Sequence, residues 1–140
     1  MERETLVLDA SVVIKWFTQE ENREKAINLR EKFINDEIEI IVPDLIFYEI
    51  SNALRFNPNF SINDVQDAIN SIFGIGIDIT IPLSITFEKA IEISFSKNIT
   101  LYDAFYEALA LELNGSFVTA DKKLYDKIKD IGNVILLKEI

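Results

Sequence analysis

The 140-residue chain contains no cysteine and no histidine. Without cysteine it has no disulfides, no thiol nucleophile and no thiolate zinc ligands. Without histidine it lacks the usual acid–base group at neutral pH and the commonest metal ligand. Hydrolytic chemistry in such a chain rests on Asp, Glu, Lys, Tyr, Ser or Thr, which makes carboxylates around a hard divalent cation, Mg²⁺ or Mn²⁺, the leading candidate. Long apolar runs are also missing. Charges interrupt each one well short of the ~18 residues that a membrane span needs. Residues 1–4 lead straight into a strand-like run with no signal-peptide pattern, so the expectation is a soluble, cytoplasmic protein. Positive charge is the last shortage. With 14 Lys and Arg against 24 Asp and Glu, the net charge of −10 argues against nonspecific nucleic-acid binding through a basic face. Any polyanion would have to be held by particular lysines and by bound cations.

What is present is an ordinary globular composition, 49% apolar and 27% charged, at a length that suits one domain. The chain alternates. Leu6-Val7-Leu8 reads as a short buried strand, followed by a helical segment through Val13 and Trp16. Residues 20–35 place Ala26, Ile27, Leu29 and Phe33 at helical spacing. A second strand is expected at 38–42, with Pro43 opening a helix to about Arg55. Ser61 and Asp64 have the spacing of a capping box for the next helix, which stops near Gly74 and Gly76. A third strand is expected at 77–81, a helix at 84–96, and a strongly apolar helix from Thr100 to a stop at Asn114-Gly115. A fourth strand at 116–119, a short helix at 122–129 and a last strand at 134–137 complete the pattern. Apolar strands separated by helices predict an α/β fold with a parallel sheet covered on both faces. Sites in such sheets lie at the carboxyl ends of the strands, where the strand order reverses.

Four acids fall where that rule looks. Asp9 follows the first strand, and Asp121 lies two residues beyond Thr119 at the end of the fourth. Glu49 is in the second turn of the helix after strand two, and Asp103 in the first turn of the helix that feeds strand four. Each also has a plain structural reading: Asp9 with Ser11, Asp121, and Asp103 with Thr100 are all placed to cap helices, and Glu49 suits a helix margin. Jointly they predict one crevice, in which four carboxylates would repel unless a cation made them ligands. Lys15, Lys122 and Lys123 follow strands one and four and are candidate contacts to phosphates. Tyr102 and Tyr106 are candidates for stacking on bases. Gly74 and Gly76 do not make a phosphate loop, since no strand precedes them and no Gly-Lys-Ser/Thr follows.

At these positions the sequence resembles the PIN-domain family and, within it, the VapC-type toxin ribonucleases. The stretches that carry the resemblance are residues 6–13 (Leu-Val-Leu-Asp-Ala-Ser-Val-Val), Pro43 with 49–54 (Glu-Ile-Ser-Asn-Ala-Leu), 101–106 (Leu-Tyr-Asp-Ala-Phe-Tyr) and 117–124 (Phe-Val-Thr-Ala-Asp-Lys-Lys-Leu). The resemblance implies a single PIN-like domain over residues 1–140, a three-layer α/β/α sandwich with strand order 3-2-1-4-5. It also implies a Mg²⁺- or Mn²⁺-dependent endoribonuclease that uses metal-activated water, a cognate antitoxin and a homodimer. It gives Asp9, Glu49, Asp103 and Asp121 the acidic metal-binding roles, with Ser11 and Thr119 supporting them. Rival readings are a non-catalytic PIN-like scaffold module and a general RNA-processing nuclease without an antitoxin. A haloacid-dehalogenase-type phosphatase is disfavoured, because its second acid would occupy the position of Ser11.

Overall fold

The computed structural model describes residues 2–140. Five strands form one parallel sheet: β1 (Glu4–Leu8), β2 (Ile38–Pro43), β3 (Asp78–Thr80), β4 (Ser116–Thr119) and β5 (Val134–Leu136). Their order is β3-β2-β1-β4-β5, and every neighbouring pair runs parallel. Helices α1 (Ala10–Val13), α2 (Arg23–Ile34), α3 (Leu45–Arg55), α4 (Ile62–Ile75), α5 (Ser84–Lys97), α6 (Leu101–Glu112) and α7 (Lys122–Ile128) flank it. None of the described helices is long and apolar enough to cross a membrane.

The central strand explains the architecture. Leu6, Val7 and Leu8 are all buried although successive side chains point to opposite faces, so both faces of β1 are covered. The chain leaves β1 toward β2 and β3 on one side, then returns to β4 and β5 on the other. The resulting reversal between β1 and β4 opens a crevice at their carboxyl ends. Close approach of the two strands at their other ends depends on Gly115: a Cβ there would lie 2.7 Å from the Thr5 carbonyl oxygen.

Several boundaries differ from the sequence expectation for local reasons. Pro43 does not open a helix. It ends β2, in register with Thr80, and α3 begins only after the Asp44 N–H has bonded to the Thr80 carbonyl at 3.1 Å. Helix α2 starts at Arg23 rather than near residue 20. Asn22 is left-handed (φ 63°), and the Arg23 guanidinium bonds back to the carbonyls of Lys15 and Trp16. At the end of α6 it is Asn114, not Gly115, that takes the left-handed conformation. The Ser61–Asp64 capping box forms as expected, with both reciprocal bonds made. Gly76 closes α4 at φ 83°.

Inside α6 lies one residue at odds with its surroundings. Glu107 is 0% exposed, and neither of its carboxyl oxygens has a hydrogen-bond partner. The nearby Asn133 Oδ1 is also unpartnered, while its Nδ2 donates to the Gly115 carbonyl at 3.1 Å. Burial pushes the Glu107 carboxyl up to about 7, with the Asn133 amide acting in the opposite direction.

Candidate active site

The switch point is stitched together by two hydroxyls. The Ser11 hydroxyl donates to Asp9 Oδ1 at 2.5 Å and accepts the Ala120 N–H at 2.9 Å. The Thr119 hydroxyl donates to Asp9 Oδ2 at 2.6 Å and accepts the Asp121 N–H at 3.1 Å. Each hydroxyl thus spends its proton on Asp9 and its lone pairs on the chain after β4. Asp9 does not cap α1 with its side chain, although it sits at that helix's N-terminus. It is only 5% exposed, and burial pushes its carboxyl up to about 7. The two hydroxyls pull the value down, and the negative charge of Asp103 raises it.

Glu49 is half-buried on α3 and is held from below by α6. The Tyr106 hydroxyl donates to Glu49 Oε1 at 2.5 Å. Tyr106 is 1% exposed, and its ring lies nearly parallel to that of Phe117 in β4, with centroids 5.9 Å apart. Its position in the core excludes it as a base-stacking platform; it positions an acid instead. Burial holds the Glu49 carboxyl above the usual range, Tyr106 opposes this, and Asp103 adds to it.

Asp103 is the link among the four acids. It is half-buried in the first turn of α6, where only half of the expected capping box is made: the Thr100 hydroxyl oxygen accepts the Asp103 N–H at 3.1 Å. Its carboxyl is raised by burial and by the charge of Asp121. Asp9 and Glu49 each feel Asp103 in turn. Asp121 is exposed and does cap α7, accepting the Leu124 N–H at 3.1 Å through Oδ1, which leaves Oδ2 outside the cap. Sequence and structure therefore agree on one acidic neighbourhood, but not on a closed cage. Among the described residues no three acids stand close enough to hold one ion between them as arranged.

The donor set nevertheless fits a hard divalent cation. All four groups are carboxylates. Among the described residues none of them is ion-paired with a Lys or Arg. Mutually repelling carboxylates in a partly desolvated crevice, none of them neutralised by an ion pair, form a site that favours added positive charge.

The three candidate lysines separate. Lys15 is 7% exposed, with its Nζ 3.7 Å from Glu20, and so does not stand at the rim. Lys122 is ion-paired to Asp126 at 2.6 Å. Lys123 lines a cleft beside the acids together with Asp103, Asp121 and Lys127. Lys127 was not evident in the sequence, where nothing marks it apart from its spacing of four from Lys123.

Known proteins share this fold. The family model described as "PIN domain" matches residues 6–130. Over 127 residues the chain is 27% identical to Ribonuclease VapC3 of Pyrobaculum aerophilum, covering 87% of this chain and 93% of that one. Among solved structures it is similar to a toxin–antitoxin complex from Klebsiella pneumoniae (TM-score 0.73, 13% identity, 96% and 99% of the two chains). It is also similar to VapBC2 from Rickettsia felis bound to a DNA fragment from its promoter (TM-score 0.69, 13% identity, 94% and 96%). At such identities the structural likenesses speak to the fold, while the sequence model spans most of the chain. The chain belongs to the PIN-domain family.

Proposed function

We propose that the protein is a divalent-metal-dependent endoribonuclease, the toxin member of a VapBC-type pair, and that Asp9, Glu49, Asp103 and Asp121 are its metal-binding and catalytic acids. The observation that carries this reading is the set of acids coupled through Asp103, none of which is ion-paired with a Lys or Arg among the described residues. The 27% identity to a named ribonuclease supports it.

A Mg²⁺ or Mn²⁺ ion bound there supplies Lewis acidity toward a phosphate oxygen and toward an attacking water. The chain's own contribution is placement. Ser11 and Thr119 saturate the inner side of Asp9 and fix the direction of its remaining lone pairs. Tyr106 fixes Glu49, leaving Oε2 to receive a proton from water. Asp103 and Asp121 complete the acidic edge. Attack by water forms a new P–O bond and breaks the bond to the 3′ oxygen, which takes up a proton. The products carry 5′-phosphate and 3′-hydroxyl ends, and the ribose 2′-OH is not a nucleophile.

An acidic crevice on an acidic protein suits an antitoxin that presents a basic segment. Homodimer formation is supported by α5, which exposes Phe87, Ile91 and Phe95 at successive intervals of four residues.

The direct test is incubation of the purified protein with single-stranded RNA in Mn²⁺, Mg²⁺ or EDTA, beside Asp9→Asn and Asp121→Asn. Metal-dependent cleavage that both substitutions abolish is the expected result. Cleavage indifferent to EDTA, or products ending in 2′,3′-cyclic phosphate, would contradict the proposal. A scaffold module would give no cleavage at all.

A further inference from the structure

A chain of net charge −10 that handles RNA needs local positive charge, and the structure concentrates it on one wall. The cleft next to the acids, about 180 Å³, is lined by Asn98, Thr100, Asp103, Asp121, Lys123 and Lys127. Asp103 in the first turn of α6 and Asp121 at the N-cap of α7 supply its acids, and the body of α7 carries the two lysines. Positions 123 and 127 are one turn apart, about 40° around the helix, and so share a face. Lys122, Asp126 and Lys129 occupy another row, in which Asp126 neutralises both lysines at 2.6 and 3.6 Å. Lys97 is likewise paired to Asp130, and Lys89 to Glu92. Among the described residues neither Lys123 nor Lys127 is in such a pair, although the chain has ten more acids than bases.

Lys127 is also positioned. Its Nζ donates to the Asn98 carbonyl at 2.9 Å, across the cleft at the end of α5. That bond uses one of the three ammonium donors and leaves two for another acceptor. Asn98 presents this carbonyl from a left-handed residue (φ 53°) that ends the helix. One lysine is therefore fixed by backbone and the other is unengaged, both beside Asp121.

We infer that the cleft between α6 and α7 is a phosphate subsite, in which Lys123 and Lys127 grip one backbone phosphodiester of a single-stranded RNA while the neighbouring, scissile phosphate lies over Asp103 and Asp121. The inference rests on the ribonuclease reading and gives it a direction: the strand crosses the acids from the α7 side. It also accounts for how so acidic a protein holds a polyanion, with the divalent cation and two unpaired ammonium groups supplying the charge where the backbone passes.

The test is binding of a short fluorescein-labelled oligoribonucleotide by the full chain, followed by anisotropy in Ca²⁺, whose looser coordination favours binding over hydrolysis. Lys123→Gln/Lys127→Gln is compared with the equal-charge control Lys89→Gln/Lys129→Gln. We expect the first pair to weaken binding about tenfold and to flatten the log–log salt dependence by about 0.7, the value for one lost phosphate contact on a single strand. The control should shift binding less than about twofold. In Mg²⁺ or Mn²⁺ the same cleft substitutions should raise KM much more than they lower kcat. All four lysines are exposed, and thermal melts of the variants serve as the check that they fold. Equal weakening by both pairs, no weakening by the cleft pair, or no RNA binding by the unsubstituted protein overturns the subsite. Binding that depends on the cleft lysines without cleavage in any metal leaves the subsite standing and overturns the ribonuclease reading.

Discussion

Asp9 and Glu107 are both buried acids whose carboxyls are pushed up to about 7, and in each case burial is the largest cause. Their surroundings nevertheless assign them opposite roles. Asp9 receives a hydroxyl proton on each oxygen and sits among other carboxylates at the mouth of the sheet. That environment is built for an anion, which under the proposed function a divalent cation would balance. Glu107 makes no hydrogen bond with either oxygen, lies near Asn133, whose Oδ1 is also unpartnered and whose amide lowers its pKa less than burial raises it, and has no charged neighbour acting on it. That environment is built for a neutral acid, because a protonated carboxyl has an O–H to offer the Asn133 oxygen and an ionised one has none. A perturbed acidity therefore locates a function only when the hydrogen-bond donors around the group are read with it.

Substitutions can break this comparison, and the largest effect is expected at Asp9. Asp9→Asn should lower RNA cleavage by at least about a hundredfold, the scale at which a group acting directly in the transition state is lost. Glu107→Gln should change cleavage by less than about twofold. Comparable losses in both would show that the two acids are not functionally distinct.

Next in size is stability. The folded pKa of Glu107 lies above its ordinary value of 4.5, so the native state binds this proton more tightly than the unfolded chain does. Its stabilising contribution is complete below about pH 4.5 and is lost as pH rises toward 7. The difference is on the order of 3 kcal/mol. Glu107→Gln keeps a donor for Asn133 and cannot ionise. Chemical denaturation should find this variant more stable than the unsubstituted protein at pH 8 by about that amount, and nearly equal to it at pH 4.5. No gain at pH 8 would mean that Glu107 is not a neutral buried acid.

Two smaller effects sharpen the Asp9 side. Thr119→Val removes a donor that lowers the pKa of Asp9. The acid limb of the pH–rate profile should then move upward by about one unit, as expected for the loss of a bond to a charged group. Tyr106→Phe leaves the ring packed on Phe117 but releases Glu49. We expect kcat to fall by up to about tenfold with little change in melting temperature, measured by steady-state kinetics and calorimetry.

The same contrast shows what the sequence made legible. The parallel sheet followed from short apolar strands separated by helices, and Ser116–Thr119 was found at its observed bounds, whereas the strand order came only from the resemblance to the PIN-domain family, because nothing local in a strand says which neighbour it pairs with. The neighbourhood of the four acids was legible because strand ends and first helical turns fix where a side chain begins. What fixes where it ends is tertiary. Lys15 looked like a rim lysine until the turn at Asn22 and the bonds of Arg23 folded the following loop beside it. Tyr106 could be read only as an aromatic in a helix, since its partner Glu49 is 57 residues away. Glu107 was visible as an acid one turn after Asp103 in a largely apolar helix, but its burial and its neighbour Asn133, 26 residues on, are tertiary.

The central claim is that the acids at the carboxyl ends of β1 and β4 form a divalent-cation site, and crystals grown with Mn²⁺ test it most directly. The account predicts an anomalous peak beside Asp9, with Asp103 or Asp121 oxygens closing to about 2.2 Å from it, and loss of that peak in Asp9→Asn. A saturated crystal with no peak there, or with Mn²⁺ bound only at acids elsewhere on this acidic surface, would contradict it.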